Sequence, residues 1–241
     1  MRVLRSLVAG LFFALYGAGS LLIGCLLFPP LALLRRRRAM RALVRASWRL
    51  FVWAARRAGL FRIEVSAEDR RRLAAARGRV VVANHLALID IVVLLSLLPD
   101  ATSIAKAAAG RNFFYSLIVR GVFLVNDDPR GVLEEAGALL AAGTSVVVFP
   151  EGTRMPADAK DRRLRRGAAQ LALRAGVPVL PVFIEVDPPV LGKGQPWYDA
   201  GDRMAVWRLR VREEIPVARV SGPAHAEAVS LTQAIYGRLW P

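Results

Sequence analysis

The sequence has almost none of the residues from which disulfides and most metal centres are built. It contains one cysteine, Cys25, and two histidines, His85 and His225. A single cysteine excludes an intramolecular disulfide and a cysteine-rich metal site. Two histidines argue against a multi-histidine metal centre. No nucleotide-binding fingerprint occurs either, so we expect no metal and no cofactor beyond a substrate.

Acidic residues are absent from the first quarter of the chain. Glu64 is the first acid, and twelve arginines precede it. Most of the formal net charge of +16 therefore belongs to this N-terminal segment. A nucleic-acid-binding protein carries its basic clusters on the folded domain, whereas here they flank a long apolar run. We therefore expect membrane lipids, and not nucleic acid, as partners.

The apolar run extends from residue 7 to residue 28 without one charged residue. A helix of this length reaches about 33 Å, roughly the thickness of the hydrocarbon layer. We expect a membrane anchor, because the apolar part of a cleaved signal peptide is usually shorter. The length alone leaves open whether this helix spans the bilayer or dips into it. We expect Pro29 and Pro30 to end the helix. The arginines at 35–38 place the rest of the chain in the cytoplasm, at the inner membrane.

The following segment, residues 39–58, predicts a second, amphipathic helix. Its apolar residues recur at helical spacing, and arginines are interleaved with them. Such a helix lies in the membrane interface with its arginines near anionic phosphates, unless it packs on the domain with solvated arginines. We accordingly divide the chain into an anchor with a basic amphipathic helix, residues 1–62, and a second domain, residues 63–241.

The remaining sequence alternates between strand and helix patterns, which predicts an α/β fold with a mixed, mostly parallel sheet flanked by helices. Strands are predicted at residues 79–83, 103–106, 121–126, 145–149, 179–185 and 205–211, and helices at 90–98, 131–142, 167–175 and 226–239. Apolar and polar residues alternate in the last strand, as expected of an antiparallel or edge strand.

Two loops that directly follow strands carry side chains suited to catalysis. Residues 84–90, NHLALID, place His85 and Asp90 between a strand end and a helix start. A carboxylate that accepts one ring N–H leaves the other ring nitrogen free to take a proton. In residues 149–154, FPEGTR, a glycine permits an unusual backbone shape and Arg154 offers a fork for phosphate or carboxylate. Taken singly, Asp90 could merely cap the helix and Arg154 could be a surface residue.

Together with residues 121–126 and 177–182, these loops resemble the glycerolipid acyltransferase family, typified by 1-acylglycerol-3-phosphate acyltransferase. The resemblance spans about residues 80–190. It implies a membrane-bound O-acyltransferase that moves an acyl group from acyl-CoA or acyl carrier protein to the hydroxyl of a lysophospholipid. His85 would be the general base and Asp90 would orient it, without a covalent acyl-enzyme. The residues implied to bind substrate are Lys106, Glu151, Gly152, Thr153 and Arg154.

One block departs from the family pattern. Where the family usually has an acid followed by a phosphate-binding arginine, this chain has Asn126 and Asp127. Either Arg154, Lys106 or the arginines within residues 162–166 replace the missing cation, or the acceptor is not a simple glycerol phosphate. That arginine run is expected to be a solvated loop face, with docking of an acidic carrier protein or of lipid headgroups as its alternative role.

Two further interpretations stay open. Residues 191–198 resemble acyltransferase-like proteins of aryl-polyene or xanthomonadin-type pigment pathways. The acceptor could therefore be a pigment lipid or a lyso-ornithine lipid. A non-catalytic, membrane-tethered scaffold is the alternative from another class, but it predicts loss of His85, Asp90 or the 151–154 loop, and all are present.

Overall fold

The structure is a computed structural model that describes residues 2–107, 116–156, 158–159, 162–220 and 224–240. These residues form eight helices and seven strands. In chain order they are α1 (Arg2–Leu33), α2 (Arg37–Arg57), β1 (Phe61–Val65), α3 (Ala67–Ala75), β2 (Val80–Ala83), α4 (Asp90–Leu97), β3 (Ala101–Lys106), α5 (Ser116–Val122), β4 (Leu124–Asn126), α6 (Pro129–Ala141), β5 (Ser145–Val148), α7 (Gly167–Ala175), β6 (Val179–Asp187), β7 (Ala205–Val211) and α8 (His225–Leu239).

All seven strands join one sheet in the order β1-β7-β6-β2-β5-β3-β4. Every neighbouring pair is parallel except β6 and β7. The fold class is therefore the expected mixed, mostly parallel sheet flanked by helices. Five strands (β2 to β6) end at the same edge of the sheet, and in parallel sheets that edge is where ligands bind.

Two apolar clusters cover the two faces of the sheet. Side chains alternate along β2, so Val81 faces a cluster with α2, α4 and β7, while Val80 and Val82 face one with α6, α7 and α8. β2 and its neighbour β5 are largely buried on both faces and consist mainly of consecutive valines. This is the pattern expected of central parallel strands.

The first two helices pack against this domain as a hairpin. Tyr16 of α1 donates to or accepts from Ser47 of α2 at 2.7 Å, and its ring lies 4.6 Å from that of Phe51. Both ends of α1 touch the domain: Arg2 pairs with Asp199 at 2.7 Å, and Phe28 packs with Val122 of α5. The helix therefore lies along the domain, with its other side exposed.

The end of α1 differs from the expectation. The helix continues through Pro29 and Pro30 to Leu33. A proline lacks a donor, but its φ is compatible with a helix, so in the last turn it removes hydrogen bonds without stopping the chain. The turn is made instead at Arg35, which has φ 52° and donates to Ala32. The next N–H, from residue 36, reaches back to residue 31, which completes a Schellman cap.

The predicted strand at 121–126 is the other element that differs. Its first two residues end α5, and only Leu124–Asn126 form β4. The pair β1 and α3 was not predicted, and the boundary proposed between residues 62 and 63 falls inside β1. β1 is held by parallel pairing with β7, a contact between distant segments that no local pattern indicates.

Candidate active site

The two loops singled out in the sequence meet at the carboxyl edge of the sheet. The first follows β2 and the second follows β5, and these strands are neighbours. The N–H of Met155 donates to the carbonyl of His85 at 2.8 Å, and the N–H of His85 donates to Oε2 of Glu151 at 2.7 Å. Asn84 fixes the end of β2 by exchanging two hydrogen bonds with the backbone of Ile184 on β6. The first loop is therefore held on both sides.

The imidazole of His85 is oriented by a buried carboxylate. Its Nδ1 lies 3.0 Å from Oδ2 of Asp90, whose side chain is 0% exposed. The same oxygen accepts the N–H groups of Leu86 and Ala87 at 2.7 Å each. The other oxygen, Oδ1, accepts the indole N–H of Trp207 at 2.8 Å. Asp90 therefore binds this turn and the imidazole, and its side chain does not cap α4.

This network selects one tautomer of His85. Among the described residues, every other group that is hydrogen-bonded to the Asp90 carboxylate is an N–H donor, so the carboxylate acts as an acceptor and Nδ1 of His85 carries a proton. The assignment follows from the hydrogen bonds rather than from observed hydrogens. In the neutral imidazole, Nε2 is then the acceptor. The ring is stacked on Phe149, with 4.2 Å between centroids, and it lines a cavity.

Glu151 joins the second loop to the first and to the arginine run. Its Oε1 accepts from Arg162 at 2.7 Å, and both side chains are almost fully buried. Burial raises the pKa of Glu151, although the hydrogen bonds from the backbone of His85 and from Arg162 act in the opposite direction. Both carboxylate oxygens are therefore bound by protein donors beneath the cavity.

The next two residues of this loop line the cavity itself. Gly152 has φ 68°, and a Cβ there would lie 2.7 Å from Nε of Arg165. Glycine is thus required both by the left-handed backbone and by the closeness of Arg165. Thr153 lies beside it on the cavity wall.

Arg154 holds a third segment against the site. Its Nη1 donates to the carbonyls of Leu191 and Gly192 at 2.9 and 3.0 Å. The N–H of Leu88 donates to the same carbonyl of Leu191 at 2.9 Å. These bonds bring Lys193, from the loop between β6 and β7, to the rim of the cavity.

The cavity has a volume of about 580 Å³ and an excess of positive charge. Lys106, Arg154, Arg165 and Lys193 line it together with His85. Among the described residues that line it, none is acidic. Cations gathered around a concave site favour an anionic ligand, and arginine in particular suits phosphate.

The two residues that depart from the family pattern in the second block have different positions relative to the cavity. Asn126 lines the cavity, but the carboxylate of Asp127 lies outside it and pairs with Arg120 at 3.3 Å. The arginine run is solvated, as expected, at the exposed Arg163, Arg165 and Arg166, but not at Arg162. Arg162 is buried against Glu151, Arg165 lines the cavity, and Arg166 contacts the exposed His225 at 3.0 Å.

Three residues of the site were not singled out from the sequence. Trp207 comes from β7 and Lys193 from the loop before it, more than one hundred residues after His85. Phe149 belongs to the predicted loop but was not assigned to the imidazole. Only the fold brings these side chains together, although the lysine between Gly192 and Gly194 was a visible cation.

Comparison with known proteins gives a consistent family assignment. A sequence model of the family described as Acyltransferase matches residues 62–185, just over half of the chain. The chain is 34% identical to a 1-acyl-sn-glycerol-3-phosphate acyltransferase of Chlamydomonas reinhardtii over 114 residues, which is 44% of this chain and 33% of that protein. It is 30% identical to 1-acyl-sn-glycerol-3-phosphate acyltransferase alpha of Mus musculus over 169 residues, 66% of this chain and 56% of that protein. The chain thus spans about a third to a half of these relatives.

One solved structure resembles the whole fold. The crystal structure of the 1-acyl-sn-glycerophosphate (LPA) acyltransferase PlsC from Thermotoga maritima superposes with a TM-score of 0.66 at 24% identity. The match covers 98% of this chain and 96% of that chain. The two proteins therefore share one architecture, N-terminal helices included.

Proposed function

The chain belongs to the acyltransferase family, and from this premise we propose that it is a membrane-bound O-acyltransferase. It transfers a fatty acyl group from an acyl thioester, of coenzyme A or acyl carrier protein, to the free hydroxyl of 1-acylglycerol-3-phosphate. The observation that carries the proposal is the oriented imidazole of His85 on the wall of a cation-lined cavity. The names of the relatives support the acceptor, since they are 1-acyl-sn-glycerol-3-phosphate acyltransferases.

The proposed reaction is a direct transfer. Nε2 of His85 takes the proton of the acceptor hydroxyl while that oxygen attacks the thioester carbonyl. The tetrahedral intermediate collapses with loss of the thiolate, and the imidazolium returns the proton to the sulfur. Asp90 stabilises the imidazolium and keeps its orientation. Positioned proton transfer of this kind contributes roughly 10²–10⁴-fold to the rate.

The substrate phosphate is held, in this proposal, by Lys106, Arg165 and Lys193. They line the cavity that contains His85, and Asp127, the acid in the departing block, is turned to Arg120. This arrangement favours a phosphate-bearing acceptor over a pigment or ornithine lipid. Glu151 and Arg154 then serve as positioning residues, because they tie the loops around the cavity together.

The helices α1 and α2 are proposed to place the domain on the cytoplasmic face of the inner membrane. α1 is long and apolar enough to cross a bilayer, but both of its ends contact the domain. Its outer side exposes a row of leucines, which includes Leu4, Leu7, Leu11, Leu15, Leu22 and Leu26. We propose that this side is buried in one leaflet, with the arginines of α2 at headgroup depth.

Substitution of His85 tests the enzymatic assignment. His85→Ala should lower acyl transfer from acyl-CoA to 1-acylglycerol-3-phosphate by about 10²–10⁴-fold. His225→Ala removes the only other histidine, which lies exposed beside Arg166, and should leave the rate unchanged. Asp90→Asn should also be strongly impaired, because an amide cannot accept from all the donors around it. Unchanged turnover in His85→Ala would eliminate base catalysis by His85, whereas a scaffold predicts no acyl transfer by the unmodified protein.

The acceptor is tested separately with the unmodified enzyme. Purified protein would be offered acyl-CoA or acyl carrier protein with 1-acylglycerol-3-phosphate, lyso-ornithine lipid or a hydroxylated aryl-polyene. We expect diacyl phosphatidate as the main product, read by lipid mass spectrometry. Product from either of the other acceptors alone would overturn the phosphate assignment while leaving the catalytic mechanism intact.

A further inference from the structure

A second basic cavity lies far from the catalytic one. It has a volume of about 230 Å³ and sits between α2, α4 and the start of β3. Its polar lining consists of Arg38, Arg41, Arg45, Trp48, Arg77 and Asp100, and we call it the arginine pocket. β3 connects the two cavities: Ala101 at its start lines the arginine pocket, and Lys106 at its end lines the catalytic cavity. That strand separates them by about 17 Å.

The pocket has one acid, and this acid is already paired. Asp100 accepts from Arg41 at 2.9 and 3.3 Å and from the hydroxyl of Thr144 at 3.1 Å, and Nε of Arg38 lies 3.8 Å away. Arg41 and Asp100 thus neutralise each other at the base of the pocket. Arg38, Arg45 and Arg77 leave a formal excess of positive charge around its opening.

The remaining arginines have unused donors. Arg45 donates one N–H to the carbonyl of Leu98 at 3.3 Å. Within the part of the chain that the structure describes, no side chain or carbonyl pairs with the guanidinium of Arg77. Burial, followed by repulsion from Arg49 and Arg77, lowers the pKa of Arg45, while Asp100 acts in the opposite direction. An anion in the pocket would relieve this repulsion.

The pocket opens beside the apolar surface proposed to contact the membrane. Arg38, Arg45 and Arg49 follow one side of α2 at spacings of seven and four residues. The exposed Trp53 lies within about 80° of all three around the same helix, and the exposed Leu50 lies about 100° from Arg49. Trp48, which lines the pocket, is a residue typical of the membrane–water interface.

From these observations we infer that the arginine pocket binds the phosphate of an anionic membrane phospholipid. Arginines suit this ligand because each can donate two parallel N–H bonds to phosphate oxygens. A volume of about 230 Å³ holds a phosphate with part of its glycerol, and the acyl chains would lie against the exposed sides of α1 and α2. The bound lipid would anchor the domain in one orientation. The inference concerns membrane attachment and does not depend on acyl transfer.

The test uses the full-length protein in a neutral detergent. Its thermal unfolding is followed while dihexanoyl-phosphatidylglycerol, dihexanoyl-phosphatidylcholine or inorganic phosphate is added. Arg45→Gln/Arg77→Gln removes two pocket cations. Arg56→Gln/Arg71→Gln removes two exposed cations that do not line the pocket, which gives the same change in net charge. Lys193→Gln reports on binding in the catalytic cavity.

We expect saturable stabilisation by the anionic lipid alone. Its apparent affinity should fall at least about tenfold in Arg45→Gln/Arg77→Gln, since two charge-assisted hydrogen-bonding groups are lost. The control pair and Lys193→Gln should keep the affinity of the unmodified protein. Equal effects in both arginine pairs, or loss only in Lys193→Gln, would overturn the inference. Equivalent saturable stabilisation by inorganic phosphate would instead assign the pocket to a soluble anion.

The single variant Arg77→Gln keeps the test decisive if the double variant unfolds. Arg77 is exposed and has no partner within the described residues, so its loss should not disturb the fold. It should weaken lipid binding several-fold while the unfolding temperature without lipid stays the same. Unchanged binding in this folded variant would also overturn the inference.

Discussion

The indole N–H of Trp207 donates to Oδ1 of Asp90 at 2.8 Å, across 117 residues of sequence. Both side chains are fully buried. β7, which carries the indole, pairs with β6, and β6 in turn borders β2, the strand that precedes His85. A side chain from β7, two strands away from β2 in the sheet, therefore helps to hold the carboxylate that orients the imidazole.

Trp207→Phe should slow acyl transfer without leaving a large cavity in the hydrophobic core. The phenyl ring retains most of the packing, but Oδ1 of Asp90 loses its donor, which costs about 1–3 kcal/mol. If half of this cost enters the barrier, the rate falls by about two- to twelvefold. Steady-state acyl transfer measures the change in rate, and thermal unfolding measures the change in stability. Trp197→Phe, at a half-exposed tryptophan, is the control and should change neither.

Gly152→Ala should weaken binding of the phosphate-bearing substrate. The left-handed backbone costs a Cβ-bearing residue about 1–2 kcal/mol, and the new methyl would push Arg165 away from the cavity wall. We expect a raised KM for the acceptor with a smaller change in kcat. Gly137→Ala provides the contrast, because its Cβ would contact nothing within 4 Å on α6. An unchanged KM in Gly152→Ala would exclude Arg165 from substrate binding.

Asp100→Asn should alter the pH dependence of stability. Burial raises the pKa of Asp100, but the hydrogen bonds and charge of Arg41 outweigh it, so the pKa lies below its ordinary value of 3.8. Because the native pKa is lowered, the ionised carboxylate stabilises the fold fully above the ordinary pKa of 3.8. This stabilisation is lost as the pH falls through the native pKa. The substitution should cost about 1–3 kcal/mol near pH 7.

That cost should shrink as the pH falls below 3.8, because the carboxyl group of the unfolded chain is protonated first and the native carboxylate only at lower pH. Urea unfolding of both proteins in detergent at pH 3 and pH 7 measures the difference. A cost that is the same at both values would show that the charge of Asp100 does not contribute.

The orientation of α1 can be read by labelling its two ends. Arg2 and Arg36 are exposed near opposite ends of the helix. In a Cys25→Ser background, Arg2→Cys and Arg36→Cys should both react with an impermeant maleimide from the cytoplasmic side of a bacterial inner membrane. A spanning helix would instead expose one of them only on the opposite side.

The central part of the fold follows from local sequence patterns. Valine runs bounded by glycine or proline predict β2 and β5 nearly to the residue, and alternation predicts β7 at Ala205–Val211. β1 (Phe61–Val65) also alternates apolar and charged residues, but its pairing with a strand about 140 residues away is not indicated by any local pattern. Local patterns report local energies, and this contact is not local.

The same distinction applies to the site. His85 and Asp90 lie on one turn, so their spacing predicts their contact, which the structure places at 3.0 Å. Their assigned catalytic roles stay predictions until acyl transfer is measured. The neighbours supplied by distant segments, Trp207 and Lys193, and the inward position of Arg162 depend on the sheet order, which no spacing rule provides.

The pairing of β1 with β7 has a consequence for synthesis. Both N-terminal helices and β1 leave the ribosome first, yet the partner of β1 follows roughly 140 residues later. At about 5–20 residues per second this interval lasts roughly 7–30 s. During that time the proposed membrane contact of α1 can form before the sheet has closed, which would dock the nascent chain on the bilayer while the rest of the sheet is still being made.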